Sequence, residues 1–544
     1  MASDPEYDVI VVGSGAAGGW VAKEAAEGGC KTLMLEAGRA LDPQAEFPDS
    51  ELTAPKPSLL NRVKAMLSGQ HVQARCMSFK PATAHLFIND RQNPYTVAPG
   101  TQFNWYRARQ VGGRLHLWGR NAVRISEQDL KAAEFDGFGD PWPISYEDLA
   151  PWYSRVERFL GVTGQAAGIV NLPDGEFSGP TYLTKAERTL LEQLKKKWPD
   201  RPATCSRVIH HMADHQPPPL KAASASGHFE LRSRAVVSRI ETDPNSGLAT
   251  GVTYVDDATR ARVTVTAGVV VMCASTIESV RILLNSDSQR HPRGLGNSSG
   301  NLGRYLADHL VVMRAGRLSD IEGFDRHIDP YDFGAHTAIY IPSFRNRGMN
   351  EGRGFLRGYS IMGCVARIEP GWYFMTIGEV LPRADNRIEL DRSRRDAWGI
   401  PIPRITMRYS DNERAMVRDM NQTLDDLCQT FALPPNILGK ESILSRLVFK
   451  TAGRLLFGKD GALIPGSSVH ESGGACMGTD SSRHVVNADN QLFDAPNVYV
   501  TDSAAFPTNP FQNPALTIMA LSARAGHRIA TDLNAAKGKP AASG

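Results

Sequence analysis

No run of about 18 apolar residues occurs in this 544-residue chain, so no membrane-spanning helix is expected. The opening stretch MASDPEYDVI has neither a basic n-region nor an apolar h-region, which argues against a secretion signal and makes a cytoplasmic location the expectation. Charge of one sign is scarce as well. The 61 Lys and Arg against 58 Asp and Glu leave a formal +3, too little at this size to point to nucleic acid or an anionic membrane surface. The seven cysteines (Cys30, Cys76, Cys205, Cys273, Cys364, Cys428 and Cys476) are scattered and odd in number, with no CxxC. That excludes a disulfide framework and a tetrahedral zinc site, and reads as reduced thiols. There are no internal repeats. What is present, 42% hydrophobic and 22% charged residues, suffices for a large core in two intertwined domains.

The clearest local signal lies near the start, in YDVIVVGSGAAGGWVAKEAAEGGCKTLMLEAG. Val9 to Val12 form a short β-branched run, as a buried parallel strand should. Gly13 permits a tight turn, Gly15 lets the backbone approach a pyrophosphate, and Gly18 lets the following helix pack closely on the sheet. Ala16, Ala17, Val21, Ala22 and Ala25 favour a slim helix whose free N–H groups and positive dipole end would face phosphates. Gly28 and Gly29 end it. Thr32 to Leu35 make the second strand, and Glu36 stands roughly 20 residues beyond the glycines, where a carboxylate accepts both ribose hydroxyls. The fingerprint does not separate FAD from NAD.

Beyond this unit the order is discontinuous. Residues 40–105 are loop-rich, with Pro43, Pro48, Pro55 and Pro57 and a short amphipathic helix around Leu59 to Leu67, the texture of a lid. In RARQVGGRLHLWGRNAVRIS, Gly112 and Gly113 would admit a ligand close to the backbone, and Trp118 offers a flat ring. Residues 141–160 read as a turn into a helix capped by Ser145, with Glu147 and Asp148 in its first turn. Strands from Phe229 to Cys273 extend the nucleotide unit. From about 305 to 465, alternating segments such as HTAIYIPSF and WYFMTIGEVL and a helix from Asn412 to Phe431 suggest an antiparallel sheet with helices. Strand, loop and helix return from Val498 to Leu533. The expected fold is therefore α/β, α+β overall: a Rossmann-like domain over 1–304 with insertions at about 40–105 and 160–225, and a discontinuous antiparallel-sheet substrate domain over 305–465. The chain then returns to the first domain over 466–536 and ends in a disordered tail, 537–544.

Two late loops carry polar residues suited to catalysis. VHESGGACMG holds His470 and FPTNPFQNPALTIMALSARAG holds Asn513, each punctuated by Gly or Pro. A dinucleotide fingerprint followed much later by a His and an Asn in loops suggests a redox enzyme whose acid/base pair returns to the cofactor from the C-terminal end. Oxidising an alcohol at a flavin needs the carbinol hydrogen delivered as hydride to N5 and the hydroxyl proton removed. Neutral His, with an unperturbed pKa near 6.5, is the natural base. An amide such as Asn513 can hydrogen-bond the substrate oxygen as charge develops.

These pieces together resemble the glucose–methanol–choline oxidoreductase family over most of the chain: GSGAAG with Glu36, VGGRLHLWGRN, DPWPISYEDLAPWY, AVVSRIET, CASTIESVRILLNS, NLGRYLADHL, and the block from Val469. The resemblance implies FAD, held noncovalently or covalently, in a two-domain fold that oxidises a primary or secondary alcohol. HLWGR and FQNPALTIMALSARAG are most similar to bacterial pyranoside-oxidising members: glucoside 3-dehydrogenases, glycoside 3-oxidases and the flavin subunits of sugar-acid dehydrogenases. It places His470 and Asn513 at the chemistry. It places Gly13, Gly15, Ala16, Ala17, Gly18, Glu36, Ala37, Arg109, Gly112, Gly113, Trp118, Gly119, Asn121, Val237, Ala274, Asp502, Ala504, Asn513 and Pro514 at the cofactor. The implied partners are a sugar or glycoside, oxygen or another electron acceptor, and a small partner subunit or cytochrome. A gluconate-type sugar-acid dehydrogenase, another alcohol oxidase and a non-redox flavoprotein lyase are the alternatives.

Other signals read more plainly. Cys205, His210, His211 and His215 match no common zinc spacing, and a lone Cys205 does not supply an iron–sulfur cluster. His116 lies one residue off the position from which some pyranose oxidases tether flavin, so covalent attachment is not expected. Gly296 to Gly300 fits the GxSxG pattern but follows no strand. Trp142, Trp152 and Tyr153 read as packing residues. Asp502 follows a strand and reads either as a cofactor contact or as a turn cap.

Overall fold

The computed structural model describes residues 5–47, 59–209, 216–317, 337–347, 351–367, 371–433 and 457–538. Tyr7–Val12 is the middle of a parallel sheet. It pairs with Thr32–Leu35 on one side, Val9 opposite Thr32, and with Arg262–Met272 on the other, Val9 opposite Val269. Phe229–Arg232 and Val498–Val500 add the outer strands. The inner strands are almost uninterrupted runs of apolar residues because helices cover the sheet, while the edge strand Phe229–Arg232 carries Glu230 and Arg232 and is partly exposed. The long strand Arg262–Met272 serves two sheets, since its first half turns out of the parallel layer into an antiparallel meander with Ala249–Asp256 and Ala235–Thr242.

Helix Ala16–Glu27 lies on this sheet beside helix Ala515–Ala536. Gly526 allows the approach: a β-carbon there would stand 3.0 Å from Val21 Cα. Asn534 Nδ2 donates to the Gly28 carbonyl at 2.8 Å, so the first and last helices are stitched together.

A second, antiparallel sheet runs in the order Thr204–Cys205, Ile339–Ile341, Tyr359–Val365, Gly371–Gly378, Leu310–Arg317. Helix Asp411–Thr430 packs on it through Met416, Val417, Met420, Leu424 and Leu427. Its start is one residue earlier than the periodicity suggests, because Ser410 caps it and Glu413 reciprocates. Two strands come from outside the segment expected to form this domain. Thr204–Cys205 pairs with Ile339–Ile341, and Thr96–Val97 adds in parallel to the hairpin of Arg387–Arg395 and Pro401–Thr406. The boundary near residue 305 is thus crossed by the chain: open strand edges need partners, and the insertions supply them.

The stretch expected to be a lid is an ordered insertion where it is described. Val72, Ala74, Phe79, Phe87 and Tyr106 form a small core of their own. The Asp90 carboxylate takes the Val72 N–H at 2.8 Å and the Gln73 amide at 2.7 Å. Helix Leu59–Leu67 is present, while Pro48, Pro55 and Pro57 fall outside the described residues.

All seven cysteines are free and buried. His210, His211 and His215 lie outside the described residues. No described helix is long and apolar enough to cross a membrane. Trp142 and Tyr153 are fully buried, and Trp152 packs against the core and the His527 ring. Ser298 sits in a turn and donates to Asp494, which is no nucleophile elbow.

Candidate active site

At the nucleotide end, the backbone turns at Gly13 with φ +101°, and its N–H reaches the Leu35 carbonyl at 2.8 Å. A β-carbon at Gly18 would overlap the Gly13 carbonyl oxygen, so the helix and the turn touch only because residue 18 has none. Gly15 differs. A β-carbon there would meet nothing within 4 Å, so open space lies in front of the helix, whose N-terminus has no side-chain cap. Uncapped N–H groups facing open space fit a phosphate.

Glu36 is buried at the end of the second strand, and burial raises its pKa. Its carboxylate accepts from the Ser14 N–H at 3.0 Å, the Ser14 hydroxyl, and the Gly38 N–H at 2.7 Å, which fixes Ala37 between them. Gly112 N–H donates to Ser14 Oγ at 3.0 Å, and a β-carbon at Gly113 would lie 3.5 Å from Gly15 Cα, so this glycine pair closes over the fingerprint loop. Arg109 passes behind Gly38, its guanidinium 4.6 Å from the Trp398 ring, and its buried Nη1 has no hydrogen-bond partner among the described residues. The open space at Gly15 and the uncapped helix end together suit a dinucleotide diphosphate, while the Arg109 guanidinium pairs with Glu278 Oε1 at 3.7 Å.

Three distant stretches build the other end. Ala307 and Ser472 exchange backbone hydrogen bonds at 2.9 Å, and Gly473 N–H reaches the Ser503 carbonyl at 2.9 Å. Val469, a β-branched residue at φ +65°, turns the chain into His470. Asp308, buried, holds this loop from below: its carboxylate takes the Gly466 N–H at 2.7 Å, the Ser468 hydroxyl, and the His470 N–H at 3.1 Å. Burial and the nearby Glu471 charge push the Asp308 pKa up to about 6. Asn509 Nδ2 donates to the His470 carbonyl at 2.9 Å. The partly buried His470 ring then has Nδ1 2.8 Å from His309 Nδ1 and Nε2 3.4 Å from Asn513 Nδ2. Burial, then His309 and the Arg114 guanidinium, hold the His470 pKa well below the usual histidine range.

Arg114 joins the two ends. It follows Gly113, donates to Glu471 Oε2 at 2.7 Å and to Ser275 Oγ at 2.8 Å, and lies 3.4 Å from the Val469 carbonyl. Arg114 therefore ties the glycine pair that covers the fingerprint loop to the His470 loop.

A family model described as GMC oxidoreductase matches residues 7–311, and a second of the same description matches residues 382–522. The chain belongs to the GMC oxidoreductase family. It is an FAD-dependent oxidoreductase acting on CH–OH donors. Over 97% of its length this GMC oxidoreductase is 27% identical to the 2-methyl-1,2-propanediol dehydrogenase of Mycolicibacterium austroafricanum, covering 96% of that protein. It is 24% identical to the fructose dehydrogenase large subunit of Gluconobacter japonicus, covering 97% of this chain and 98% of the relative. Formate oxidase of Aspergillus oryzae RIB40 shares the fold with a TM-score of 0.66 at 15% identity, over 98% of this chain and 100% of that one.

Of the residues singled out from sequence, the structure brings His470 and Asn513 together, and sets Gly112 and Gly113 over the fingerprint loop of Gly13, Gly15, Gly18 and Glu36. Several others use their polar groups within the protein. Asn121 donates to the Gly119 carbonyl at 3.4 Å and accepts from Thr337 at 2.6 Å. Asp502 caps the turn Ser503–Ala505, taking the Ala504 N–H at 2.9 Å and the Ser279 hydroxyl, and the Ala504 carbonyl accepts from Ala475. Val237 is buried mid-strand opposite Tyr254, and Ala274 donates to Ser279 Oγ at 3.1 Å. Trp118 packs on the core, and Pro514 stands at the N-terminus of the last helix. Asp308, His309 and Arg114 were not singled out. The visible signal was a buried polar Asp-His pair inside the otherwise apolar LADHLVV.

Proposed function

We propose that this GMC oxidoreductase oxidises a secondary or primary hydroxyl of a sugar or glycoside, with His470 as the base and Asn513 holding the substrate oxygen. The observation that carries the reading is an imidazole and an amide, 43 residues apart in sequence, converging within 3.4 Å on a loop that Arg114 ties to the glycine pair over the nucleotide fingerprint. FAD, when bound by the residues around Gly15 and Glu36, supplies the two-electron acceptor for the carbinol hydrogen as hydride. His470 Nε2 takes the hydroxyl proton as that hydrogen leaves, and its depressed pKa keeps it unprotonated and ready. Asn513 donates an N–H to the oxygen while negative charge grows on it. The uncapped N-terminus of helix Ala515–Ala536 begins two residues further on and adds a positive dipole end.

The fructose dehydrogenase relative supports a polyhydroxylated substrate, and its description as a large subunit supports an electron-accepting partner subunit. The diol dehydrogenase relative supports the simpler chemistry of a hydroxyl beside a second hydroxyl. The test is anaerobic flavin bleaching across sugars, methyl glycosides and 2-methyl-1,2-propanediol, with the ketone or aldehyde position identified afterwards. Bleaching by sugars is the expected result. Bleaching by the diol alone removes the sugar assignment, and substrate conversion with the flavin left oxidised supports a lyase. His470→Ala should slow flavin reduction by about 10² to 10⁴, the usual worth of a positioned base. A near wild-type rate would remove His470 from the mechanism.

A further inference from the structure

His309 is fully buried where the second sheet begins, and it touches His470 from the side away from Asn513. Its Nε2 lies 2.7 Å from the carbonyl oxygen of Pro510. A carbonyl only accepts, so His309 Nε2 carries a proton. In the neutral ring Nδ1 is then a bare acceptor. His470 Nδ1, 2.8 Å away with the rings at 82°, must donate to it. A neutral His470 with its proton on Nδ1 has a lone pair on Nε2, the nitrogen that faces the Asn513 amide.

We infer that His309, held by the Pro510 carbonyl, is a positioning residue that fixes His470 in the Nδ1–H tautomer and so keeps Nε2 free to accept the substrate proton. The inference rests on the reading of His470 as the base. In the opposite tautomer Nε2–H would point at the substrate hydroxyl and could remove nothing from it. The device differs from a His–carboxylate pair, since its orienting group is neutral and does not raise the basicity of His470. It also ends at a carbonyl that cannot be protonated, so the proton gained at Nε2 leaves by the same face. The charged groups around the pair serve other bonds: Asp308 takes the His470 backbone N–H, and Arg114 pairs with Glu471.

The first test needs no substrate. Long-range ¹H–¹⁵N correlation on protein labelled at the histidine rings, with His470 and His309 assigned from single variants, should show His470 protonated at Nδ1 and His309 at Nε2. Protonation of His470 at Nε2 would overturn the inference. The second test is single-turnover flavin reduction with whichever of methyl β-glucoside, fructose or 2-methyl-1,2-propanediol reduces the wild type fastest. His309→Leu removes the acceptor and should slow reduction at least tenfold with little change in half-saturation. An upper bound is the loss of about 10⁴ seen when a protease base is held in the wrong tautomer. His309→Asn keeps an acceptor oxygen near the Nδ1 position and should recover most of the rate. In a His470→Ala background, His309→Leu should cost nothing more. Equal rates for His309→Leu and His309→Asn, or a full loss in the His470→Ala background, would make His309 merely structural. If His470→Ala by itself leaves the rate unchanged, the base assignment fails, while the tautomer measurement still decides the hydrogen-bond chain.

Discussion

Replacing Gly15 and Gly18 one at a time separates what the fold needs from what the cofactor needs. At Gly15 the backbone is extended, with φ −73° and ψ −157°, a conformation that alanine adopts freely, and the added methyl would meet no protein atom within 4 Å. The apoprotein of Gly15→Ala should therefore melt close to the wild type, with surface-like changes within about 0.5 kcal/mol. The same methyl would occupy the space in front of the uncapped helix end. If one charge-assisted N–H bond to the diphosphate is lost there, at about 1.5–3 kcal/mol, the Kd for FAD should rise roughly 10- to 100-fold. Gly18→Ala behaves in the opposite order. Its β-carbon collides with the Gly13 carbonyl oxygen and stands 3.3 Å from Val11 Cγ1, so the turn or the helix must move. Overpacking of this kind costs about 1–3 kcal/mol, more when backbone gives way. The assay is thermal melting of the apoproteins without FAD, then titration with FAD followed by flavin fluorescence. Wild-type affinity in Gly15→Ala, or an apoprotein less stable than that of Gly18→Ala, would refute the placement of the diphosphate at Gly15.

Three further outcomes follow from the site. Asn513→Asp replaces a donor by a carboxylate where an alkoxide must form, so with about 2.7–4 kcal/mol per lost donor, flavin reduction should fall at least a hundredfold. The new charge beside His470 Nε2 should also raise the depressed pKa of that base; equal tolerance of Asp and His at 513 would make Asn513 a loop residue. Glu36→Gln sets an amide N–H against the Ser14 or Gly38 N–H, so the apoprotein should lose about 1–3 kcal/mol in addition to weaker FAD binding; unchanged melting would mean that the loop does not depend on this carboxylate. His309, with its pKa pushed down to about 4 by burial, contributes stability that is complete above its unfolded value near 6.5 and is lost as pH falls toward 4. The full shift amounts to about 3 kcal/mol, so the denaturation midpoint of the wild type should fall more steeply over pH 6.5 to 4 than that of His309→Asn, and parallel curves would contradict the burial of a neutral ring.

The nucleotide half was legible because its information is local. Strand, turn, helix, strand and acid follow one another within about 30 residues, and Gly13 and Gly18 are required by a positive φ and an approach distance that no other residue type satisfies, while Gly15 leaves open the space in front of the helix. His470 and Asn513 could be picked out as isolated polar residues in Gly- and Pro-marked loops. The helix start at Ser145 was equally readable, being a capping box four residues long. Sheet membership was less so. Strands of two or three residues such as Thr204–Cys205 carry too few side chains to show a period, and what recruits them is an unpaired edge elsewhere.

Tertiary structure alone decided how the candidate base is held. His309 and His470 are 161 residues apart, Pro510 is a further 40 along, and the proton positions follow from which atoms can only accept. Asn121 and Asp502 show the same dependence, since whether a polar side chain faces a ligand or a neighbouring backbone group is settled by contacts across the fold. The sequence by itself determined the backbone geometry of the fingerprint and which side chains are candidates for the chemistry, because those are properties of single residues and their near neighbours. Which nitrogen of His470 is left bare is a property of donors and acceptors brought together from three distant stretches, and it comes into being only when the chain has folded.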